Sequence, residues 1–389
     1  MSRKETILVI ILTFFFTSVS AQVRIRLFSN QPSGSAVFSV TSGRYELIAF
    51  NGGNLNVDRS ESVFITRFNG KLAVKTKNEK GFICDSLILH GKTGTDTFSL
   101  RTNGYKPVRK YYSDDLRCYP DLGTILLINE CDVENYISGV VKAEGGTGKN
   151  TEYFKTQAII ARTYMYRYFD RHLADRYNLC DDTHCQSFNG LSLDTLINKA
   201  TQETKGMVII GKDSTLIMAA FHSNCGGETN ASENVWLTSQ PYLISVADPY
   251  CLSSYNARWE KKLSMSDWLG FLRKSGYEGK TGDPAAFIFN QQSRLTNYRT
   301  GSFTIPLSAI RSELNLRSTF FSVSAYGDSL ILKGRGYGHG VGLCQEGAMV
   351  MAEKGFNFSH IIDFYYVGVS IANIKKAVHL TAKPIFGSR

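Results

Sequence analysis

Short runs of apolar residues, separated by turn residues, fill the first third of the chain. The runs are RIRLFS, AVFSV, YELIAF, SVFITRF, KLAVKT and DSLILH. They are rich in Val, Ile, Leu and Phe, and the stretches NGGN, FNGK and HGKTGTD between them are typical of turns. This pattern predicts a small β-rich N-terminal domain over residues 22–115, with no evident catalytic cluster.

The apolar spacing changes after residue 115. A strand is predicted at 125–128, followed by a short helix from about Val133. The longest helical stretch is TEYFKTQAIIARTYMYRYFDRHL, with Asn150 or Thr151 as its cap. Its apolar residues recur at spacings of three and four, which places them on one face: Phe154, Ala158, Ala161, Met165 and Phe169.

Helical and strand patterns alternate over the rest of the chain. A helix follows Leu191, and GMVIIGKDSTLIMAAFHS predicts a pair of strands. Further helices are predicted in MSDWLGFLRKSG, SAIRSELN, LCQEGAMVMAEKG and FSHIIDFYYVG, with a strand in SLILKG. The sequence therefore predicts an α+β protein, with a mixed second domain over residues 116–380.

The first 21 residues have the features of a signal peptide. A basic start is followed by an apolar run from Ile7 to Phe16, and VSAQ offers a small-residue cleavage site after Ala21. The run is too short to span a bilayer, and no later stretch is long or apolar enough to do so. We expect an exported protein, periplasmic or extracellular, with no transmembrane segment after cleavage.

The composition is that of a globular protein, with 43% hydrophobic and 20% charged residues. Loss of Arg3, Lys4 and Glu5 with the signal peptide takes the net charge from +10 to +9. A basic exported protein suits an anionic partner such as cell-wall polymer, although the charge also serves solubility. Nucleic acid fits the charge but not the expected compartment, so it is not an expected partner.

Two glycine-rich stretches invite a nucleotide-binding interpretation that fails in both cases. In AEGGTGKNT, Lys149 is followed by Asn150 rather than Ser or Thr, and the preceding segment is helical, so this is not a phosphate-binding loop. In GRGYGHGVG no register satisfies G-x-G-x-x-G. The second stretch instead exposes backbone around His339, which suits a hydroxyl-rich ligand or simply a tight turn.

Five blocks in order carry a resemblance to a known family. They are VENYISGVVKAE, FKTQAIIARTYMY, CDDTHCQSFNG, the stretch from FHSNCGGETNASENVW to PYLISVADPYC, and GRGYGHGVGLCQEGAMVMAEKGFNFSHIIDFYYVGVSI. Together they resemble the stage II sporulation protein D (SpoIID) family, which includes the LytB amidase enhancers. The resemblance covers residues 116–375 and implies a SpoIID-type domain that acts on peptidoglycan.

The resemblance implies a lytic transglycosylase that cuts between N-acetylmuramic acid and N-acetylglucosamine, preferring strands without stem peptides. The family's catalytic glutamate corresponds to Glu144. One carboxylate suffices, because the substrate's own 6-hydroxyl replaces the water that a hydrolase activates with a second group. The GGTGKN turn after Glu144 departs from the family, and so does Cys344, where Ser is common. The alternative function is a non-catalytic glycan-binding protein that stimulates a cell-wall amidase.

Other polar residues in the matching blocks are expected to contact the glycan, and for Arg162 an ion pair with a structural carboxylate is an equal alternative. These candidate substrate-binding residues are Gln157, Arg162, Tyr164, His222, Asn224, His339 and Gln345. The chemistry itself requires no cofactor.

A Cys/His cluster leaves two alternatives open. His172, Cys180, His184 and Cys185 have the ligand types of a structural zinc site, and some SpoIID relatives carry a similar cluster. In an exported chain a Cys180–Cys185 disulfide is the rival. Cys225 with Cys251, and Cys118 with Cys131, are further candidate pairs, although eight cysteines allow 105 pairings.

Overall fold

A computed structural model describes residues 21–59, 61–78, 80–103, 107–146, 150–236 and 238–377. The predicted signal peptide lies outside these residues except for Ala21, and so do Gly148 and Lys149 of the glycine-rich turn. The described chain contains both helices and many strands, which confirms the α+β prediction. Within the described part, no helix combines the length and apolar character needed to cross a membrane.

The N-terminal part is built from short strands, as predicted, and these pair with one another antiparallel. The strands are β1 (Gln22–Arg26), β2 (Ser35–Ser42), β3 (Tyr45–Phe50), β4 (Asn54–Val57), β5 (Ser62–Phe68), β6 (Lys71–Thr76), β7 (Phe82–Cys84), β8 (Ser86–Gly91), β9 (Thr97–Thr102), β10 (Arg109–Ser113), β11 (Asp115–Pro120) and β12 (Ile125–Asp132). Asn69 and Gly70 both have positive φ, 48° and 75°, in the tight turn that joins β5 to β6. The apolar pattern did not reveal β4, β7, β9, β10 and β11.

These strands form two sheets. One has the order β10-β9-β2-β5-β6-β7, and the other has the order β13-β1-β12-β11-β8-β3-β4, in which β13 is Leu179–Cys180. Aromatic rings join the two sheets: the centroid of Tyr45 on β3 lies 5.1 Å from Phe38 on β2 and 5.9 Å from Phe98 on β9. The second sheet contains strands from both sides of residue 115, so the β-rich region and the following segment share one core.

The segment that follows is mainly helical. Its elements are α1 (Val133–Glu144), α2 (Thr151–Arg167), α3 (Thr195–Glu203), β14 (Met207–Ile210), β15 (Phe221–His222) and α4 (Glu233–Trp236), with a single turn of 3₁₀ helix at Leu173–Asp175. The Asn150 side chain caps α2 by accepting the N–H of Glu152 at 2.8 Å. Helix α2 is buried along most of its length and packs against α1, α3 and β14.

The strand pair predicted after residue 206 is present only as a short antiparallel turn, in which Ile210 bridges Leu216 and the Gly211 N–H donates to the Thr215 carbonyl at 2.9 Å. The longer ladder of β14 is with β22 (Ser370–Asn373), at the end of the described chain, and it is antiparallel. Similarly, β15 pairs in parallel with β21 (Leu343–Cys344). Both pairings join residues more than 100 positions apart, which local apolar patterns do not report.

Residues 258–335 build a second, smaller core around Trp268. The elements are β16 (Arg258–Ser264), α5 (Met265–Lys274), a 3₁₀ helix at Pro284–Phe287, β17 (Asn297–Thr300), β18 (Phe303–Pro306), α6 (Leu307–Glu313), β19 (Phe321–Tyr326) and β20 (Ser329–Arg335). The chain then returns to the main core through β21, α7 (Gln345–Glu353), α8 (Phe358–Tyr365), β22 and α9 (Ile374–Ala377). The helices predicted within these segments are all present.

Candidate functional site

Glu144 is the last residue of α1, and the local sequence fixes it there. The Asp132 side chain starts the helix by accepting the N–H of Glu134 at 2.7 Å. The helix ends because Gly145 and Gly146 follow, and Gly146 has a φ of 68° that disfavours other residues. The turn is held from α2, where the Tyr153 hydroxyl donates to the Gly145 carbonyl at 2.7 Å.

Glu144 lines a cleft of about 410 Å³. Apolar, aromatic and polar side chains from α1, α2, the 183–186 loop, the 218–221 segment and the glycine-rich stretch contribute to its wall. They are Glu144, Tyr164, Tyr168, Thr183, Cys185, Gln186, Met218, Ala219, Ala220, Phe221, Trp236 and His339. Among the described residues of this wall, Glu144 is the only acid.

The surroundings of Glu144 favour its neutral form. Burial is the largest influence and raises the pKa of the carboxyl above its usual value. Hydrogen bonds from Ser187 oppose this, since its backbone N–H donates to Oε1 at 2.5 Å. The net effect is a raised pKa, as a group that donates a proton near neutral pH requires.

The glycine-rich stretch and α7 lie on the other side of the cleft. The Gln345 side chain donates to the backbone carbonyl of Glu144 at 2.7 Å, so it positions the turn after the acid. The centroid of the His339 ring lies 5.2 Å from that of Trp236 and 5.6 Å from that of His222. Burial lowers the pKa of His339 to about 4 and that of His222 well below its ordinary value, so both rings are neutral near pH 7.

Three predicted substrate contacts lie away from the cleft surface. Arg162 is fully buried and pairs with Glu134 through Nε at 3.2 Å and through Nη2. Of the two alternatives for this arginine, the structure therefore shows the structural ion pair. Gln157 is buried within α2, and the Asn224 amide donates to the Cys251 carbonyl at 3.2 Å and to Glu346 at 2.5 Å.

Of the other predicted contacts, Tyr164 and His339 line the cleft, while His222 lies behind His339. The Nδ1 atom of His222 lies 3.1 Å from the Val341 carbonyl, and its Nε2 atom has no hydrogen-bond partner among the described residues. Gln345 acts on the backbone of Glu144 rather than on the cleft wall.

Two cleft residues were missed from the sequence. Trp236 is 38% exposed and presents an aromatic ring to the cleft. Gln186 is buried, and its amide nitrogen has no hydrogen-bond partner among the described residues. Both lie inside the blocks that carry the family resemblance, and Gln186 directly follows Cys185. Their residue types were the signal available in the sequence.

The predicted Cys/His cluster forms next to the cleft. The candidate ligand atoms of His172, Cys180, His184 and Cys185 all lie within 4.8 Å of one another. Three sulfur–nitrogen distances are 3.5, 3.6 and 3.7 Å. Zinc–sulfur and zinc–nitrogen bonds of about 2.3 and 2.0 Å at a tetrahedral angle place the two atoms about 3.6 Å apart. These residues therefore fit a zinc ion.

The cluster and the cleft share residues. Cys185 belongs to both. The Cys185 N–H donates to the Asp182 carbonyl at 2.9 Å, and this turn brings His184, which precedes Cys185, into the cluster. Arg171 donates to the Tyr164 hydroxyl and to the His184 carbonyl, each at 2.9 Å. A change in the cluster would therefore reach one wall of the cleft.

The structure shows no disulfide among the eight cysteines, all of which lie in described residues and are buried. Cys118 and Cys131, considered as a pair, face different partners across the sheet: Cys118 is opposite Leu127 and Cys131 is opposite Val23. Cys225 and Cys251 are close together but unbonded, with their sulfurs 3.4 Å apart.

Comparison with known proteins supports the family resemblance of the segment that contains Glu144. Residues 121–210, which contain α1, α2 and the Cys/His cluster, match the family model of SpoIID, the stage II sporulation protein. This match, together with relatives that bear the family's names, confirms the resemblance drawn from the five sequence blocks.

Individual relatives extend the similarity beyond that segment. The chain is 28% identical to an uncharacterized protein of Brachyspira hyodysenteriae, covering 82% of this chain and 84% of the relative. It is 28% identical to stage II sporulation protein D of Bacillus subtilis, covering 63% of this chain and 76% of the relative. The amidase enhancer of Bacillus subtilis is 27% identical over 61% of this chain, but only 40% of that protein is covered.

Proposed function

We propose that this chain is a cell-wall protein that cleaves peptidoglycan glycan strands as a lytic transglycosylase, with Glu144 as its general acid and base. The observation that carries the proposal is the position of Glu144: among the described residues it is the only acid in the cleft wall, and its pKa is raised by burial. An inverting or retaining hydrolase would need a second carboxylate nearby.

The proposed reaction uses the same carboxyl twice. The protonated Glu144 first gives its proton to the glycosidic oxygen between N-acetylmuramic acid and N-acetylglucosamine as that bond breaks. The resulting carboxylate then takes the proton from the 6-hydroxyl of the muramic residue, whose oxygen bonds to C1 and closes a 1,6-anhydro ring. Glu144 ends the cycle protonated, so no water or cofactor is consumed.

The surrounding residues support these two steps in different ways. The Ser187 N–H holds one carboxyl oxygen, and Gln345 holds the backbone of the same residue, which limits the movement of the acid. Trp236 offers a partly exposed ring on which a sugar ring stacks. The unpartnered amide of Gln186 is suited to a sugar hydroxyl or acetamido oxygen.

We also propose that His172, Cys180, His184 and Cys185 hold a structural zinc ion. Four protein ligands leave no open position for a water molecule, so the ion would shape the cleft wall at Cys185 rather than take part in the reaction.

The test uses glycan strands from which an amidase has removed the stem peptides. The mature protein is incubated with them and the products are analysed by mass spectrometry, with Glu144→Gln and the control Glu203→Gln in parallel. Glu203 is a partly exposed carboxylate on α3 whose partners are lysines, outside the cleft. We expect 1,6-anhydromuramic ends from wild type and Glu203→Gln, and none from Glu144→Gln.

The second candidate function is that of a glycan-binding protein that stimulates a cell-wall amidase. The observation that favours it is the similarity to the amidase enhancer of Bacillus subtilis. Binding of the wild type to the same strands, without any anhydro product, would reject the enzymatic proposal and favour this one. An amidase assay with and without the protein would then measure the stimulation directly.

A further inference from the structure

A second group of metal-ligand side chains lies in the main core, apart from the Cys/His cluster. Its members are Cys225, Asp248, Cys251 and Cys344, and their candidate ligand atoms all lie within 4.8 Å of one another. All four side chains are buried, with exposures of 0%. Cys225, Asp248 and Cys251 belong to one stretch of the sequence, and the fold brings the distant Cys344 to them.

The distances within this group resemble a ligand shell more than a set of packed thiols. The sulfurs of Cys225 and Cys251 are 3.4 Å apart, and Oδ2 of Asp248 lies 3.1 Å from the Cys225 sulfur. Two thiolates on one zinc ion lie about 3.8 Å apart, whereas a disulfide brings its sulfurs to about 2.0 Å. The sulfur of Cys344 completes the group.

The surroundings are arranged for negatively charged ligands. The backbone N–H groups of Cys225 and Gly347 point to the Cys344 sulfur at 3.3 and 3.4 Å, and Cys344 caps the N-terminus of α7. Such N–H donors stabilise thiolates, as does the positive end of a helix. The Tyr365 hydroxyl donates to Asp248 at 3.0 Å and fixes the carboxylate from α8.

A buried cation provides part of the charge balance. Arg294 donates to the carbonyls of Cys225 and Glu228 at 2.6 and 2.7 Å, so its guanidinium lies against the Cys225 turn. Three thiolates and one carboxylate around a divalent ion carry a net charge of −2, which an apolar core does not accept without a nearby positive charge. Arg294 supplies that charge.

From this convergence we infer that Cys225, Asp248, Cys251 and Cys344 bind a second, structural zinc ion. Thiolates select zinc over magnesium or calcium, and the carboxylate favours it over monovalent copper. With four protein ligands the coordination is closed. Release of the ion requires protonation of three thiolates in the core, so we expect slow exchange.

The position of this site gives the ion a mechanical role. Cys344 immediately precedes Gln345, whose side chain holds the Glu144 carbonyl, and the Cys225 turn pairs with the glycine-rich stretch through Asn224 and Tyr337. The ion would therefore join three segments of the main core at the base of the wall that faces Glu144. This inference does not depend on whether Glu144 is catalytic.

Variants that remove the ligands of one site at a time distinguish the zinc content of the two sites. The background is the mature chain with Cys180→Ser and Cys185→Ser, which removes the sulfur ligands of the first cluster. Zinc is measured by elemental analysis after purification without chelators, in this background and after adding Cys344→Ser or the control Cys84→Ser. Cys84 is a buried cysteine on β7 that belongs to neither cluster.

We expect about one zinc per chain in the background and in the Cys84→Ser variant, and a loss of at least tenfold with Cys344→Ser. A folded background without zinc would overturn the inference, and so would full zinc retention after Cys344→Ser. A protein mass two daltons lower, with the Cys225 and Cys251 peptides linked, would show a disulfide instead of a zinc site and would also overturn the inference.

A spectroscopic measurement covers the case in which Cys344→Ser fails to fold. The background is grown with cobalt in place of zinc, and its absorption spectrum is recorded. Tetrahedral cobalt with thiolate ligands gives visible bands together with a sulfur-to-metal charge-transfer band. Their appearance supports the inference, and a folded, cobalt-exposed protein without them contradicts it.

Discussion

The ion pair between Glu134 and Arg162 offers the sharpest test of which polar residues serve the fold. Arg162 has no exposed surface and Glu134 is 4% exposed. The guanidinium also donates to the carbonyls of Met207 and Thr201 at 3.1 and 3.3 Å. Glu134→Gln leaves this cation buried without its counter-charge, so we expect the free energy of unfolding to fall by about 3–5 kcal/mol.

The loss is large against a typical total stability of about 5–15 kcal/mol. Urea unfolding followed by circular dichroism measures it, with Glu203→Gln as a matched control that removes a carboxylate from a surface ion pair. The double variant Glu134→Met/Arg162→Met should regain part of the loss, because both charges leave together. The remaining folded protein should bind glycan strands with unchanged affinity.

Two outcomes would refute this reasoning. Unchanged stability in Glu134→Gln would show that the arginine does not need its buried partner. A reduced affinity for glycan in Arg162→Lys, at unchanged stability, would show that Arg162 contributes to substrate binding despite its burial.

The remaining predictions concern the cleft. Because the pKa of Glu144 is raised in the folded chain, ionisation costs the folded state more than the unfolded state as pH rises. Glu144→Gln should therefore melt at a higher temperature than wild type at pH 8 and at a similar temperature at pH 4. In the wild type, kcat/KM should fall on the alkaline side with an apparent pKa above the usual value for glutamate. The pKa values of His222 and His339 are lowered, so stability should fall as the pH drops below about 6.5, and His222→Gln should weaken that dependence. Trp236→Ala should raise the Kd for glycan strands up to about tenfold, from a loss of about 0.5–1.5 kcal/mol of ring contact, with little change in melting temperature.

A specific result would contradict each of these three predictions. Equal melting temperatures of wild type and Glu144→Gln at both pH values would mean that the carboxyl is solvated. A melting temperature that is flat between pH 7.5 and 5.5 would reject neutral, buried histidines. For Trp236, the control is Tyr255→Ala, an 85% exposed aromatic residue outside the cleft, and an equal loss of affinity in both variants would reject a stacking role.

Local elements followed closely from the sequence, because their signals are local. The NG turn between β5 and β6, the Asn150 cap of α2 and the buried apolar residues of that helix from Phe154 to Met165 each depend on residues a few positions apart. Phe169, predicted on the same face, lies beyond the end of α2 at Arg167. The sheet partners did not follow. β14 has an apolar run that predicts a strand, but nothing in it identifies β22 as the neighbour.

The candidate site divides in the same way. The position of Glu144 at a helix end before two glycines was readable, and the resemblance supplied its proposed role. Whether a polar side chain on α2 faces the cleft was not readable: Tyr164 and Arg162 are two residues apart, yet one lines the cleft and the other pairs in the core. The sequence suggested Cys225 and Cys251 as neighbours, but it did not show that Asp248 and the distant Cys344 join them.

The place of β1 in its sheet has a consequence for folding. This strand is the first of the described chain, yet it lies between β12, which ends at Asp132, and β13, which ends at Cys180. Neither edge of β1 can form its backbone hydrogen bonds until more than 100 further residues have been made. Contacts between residues so far apart in the sequence form slowly. β1 therefore lacks both neighbours while the intervening strands are made, and its sheet is complete only after α1 and α2 have been made.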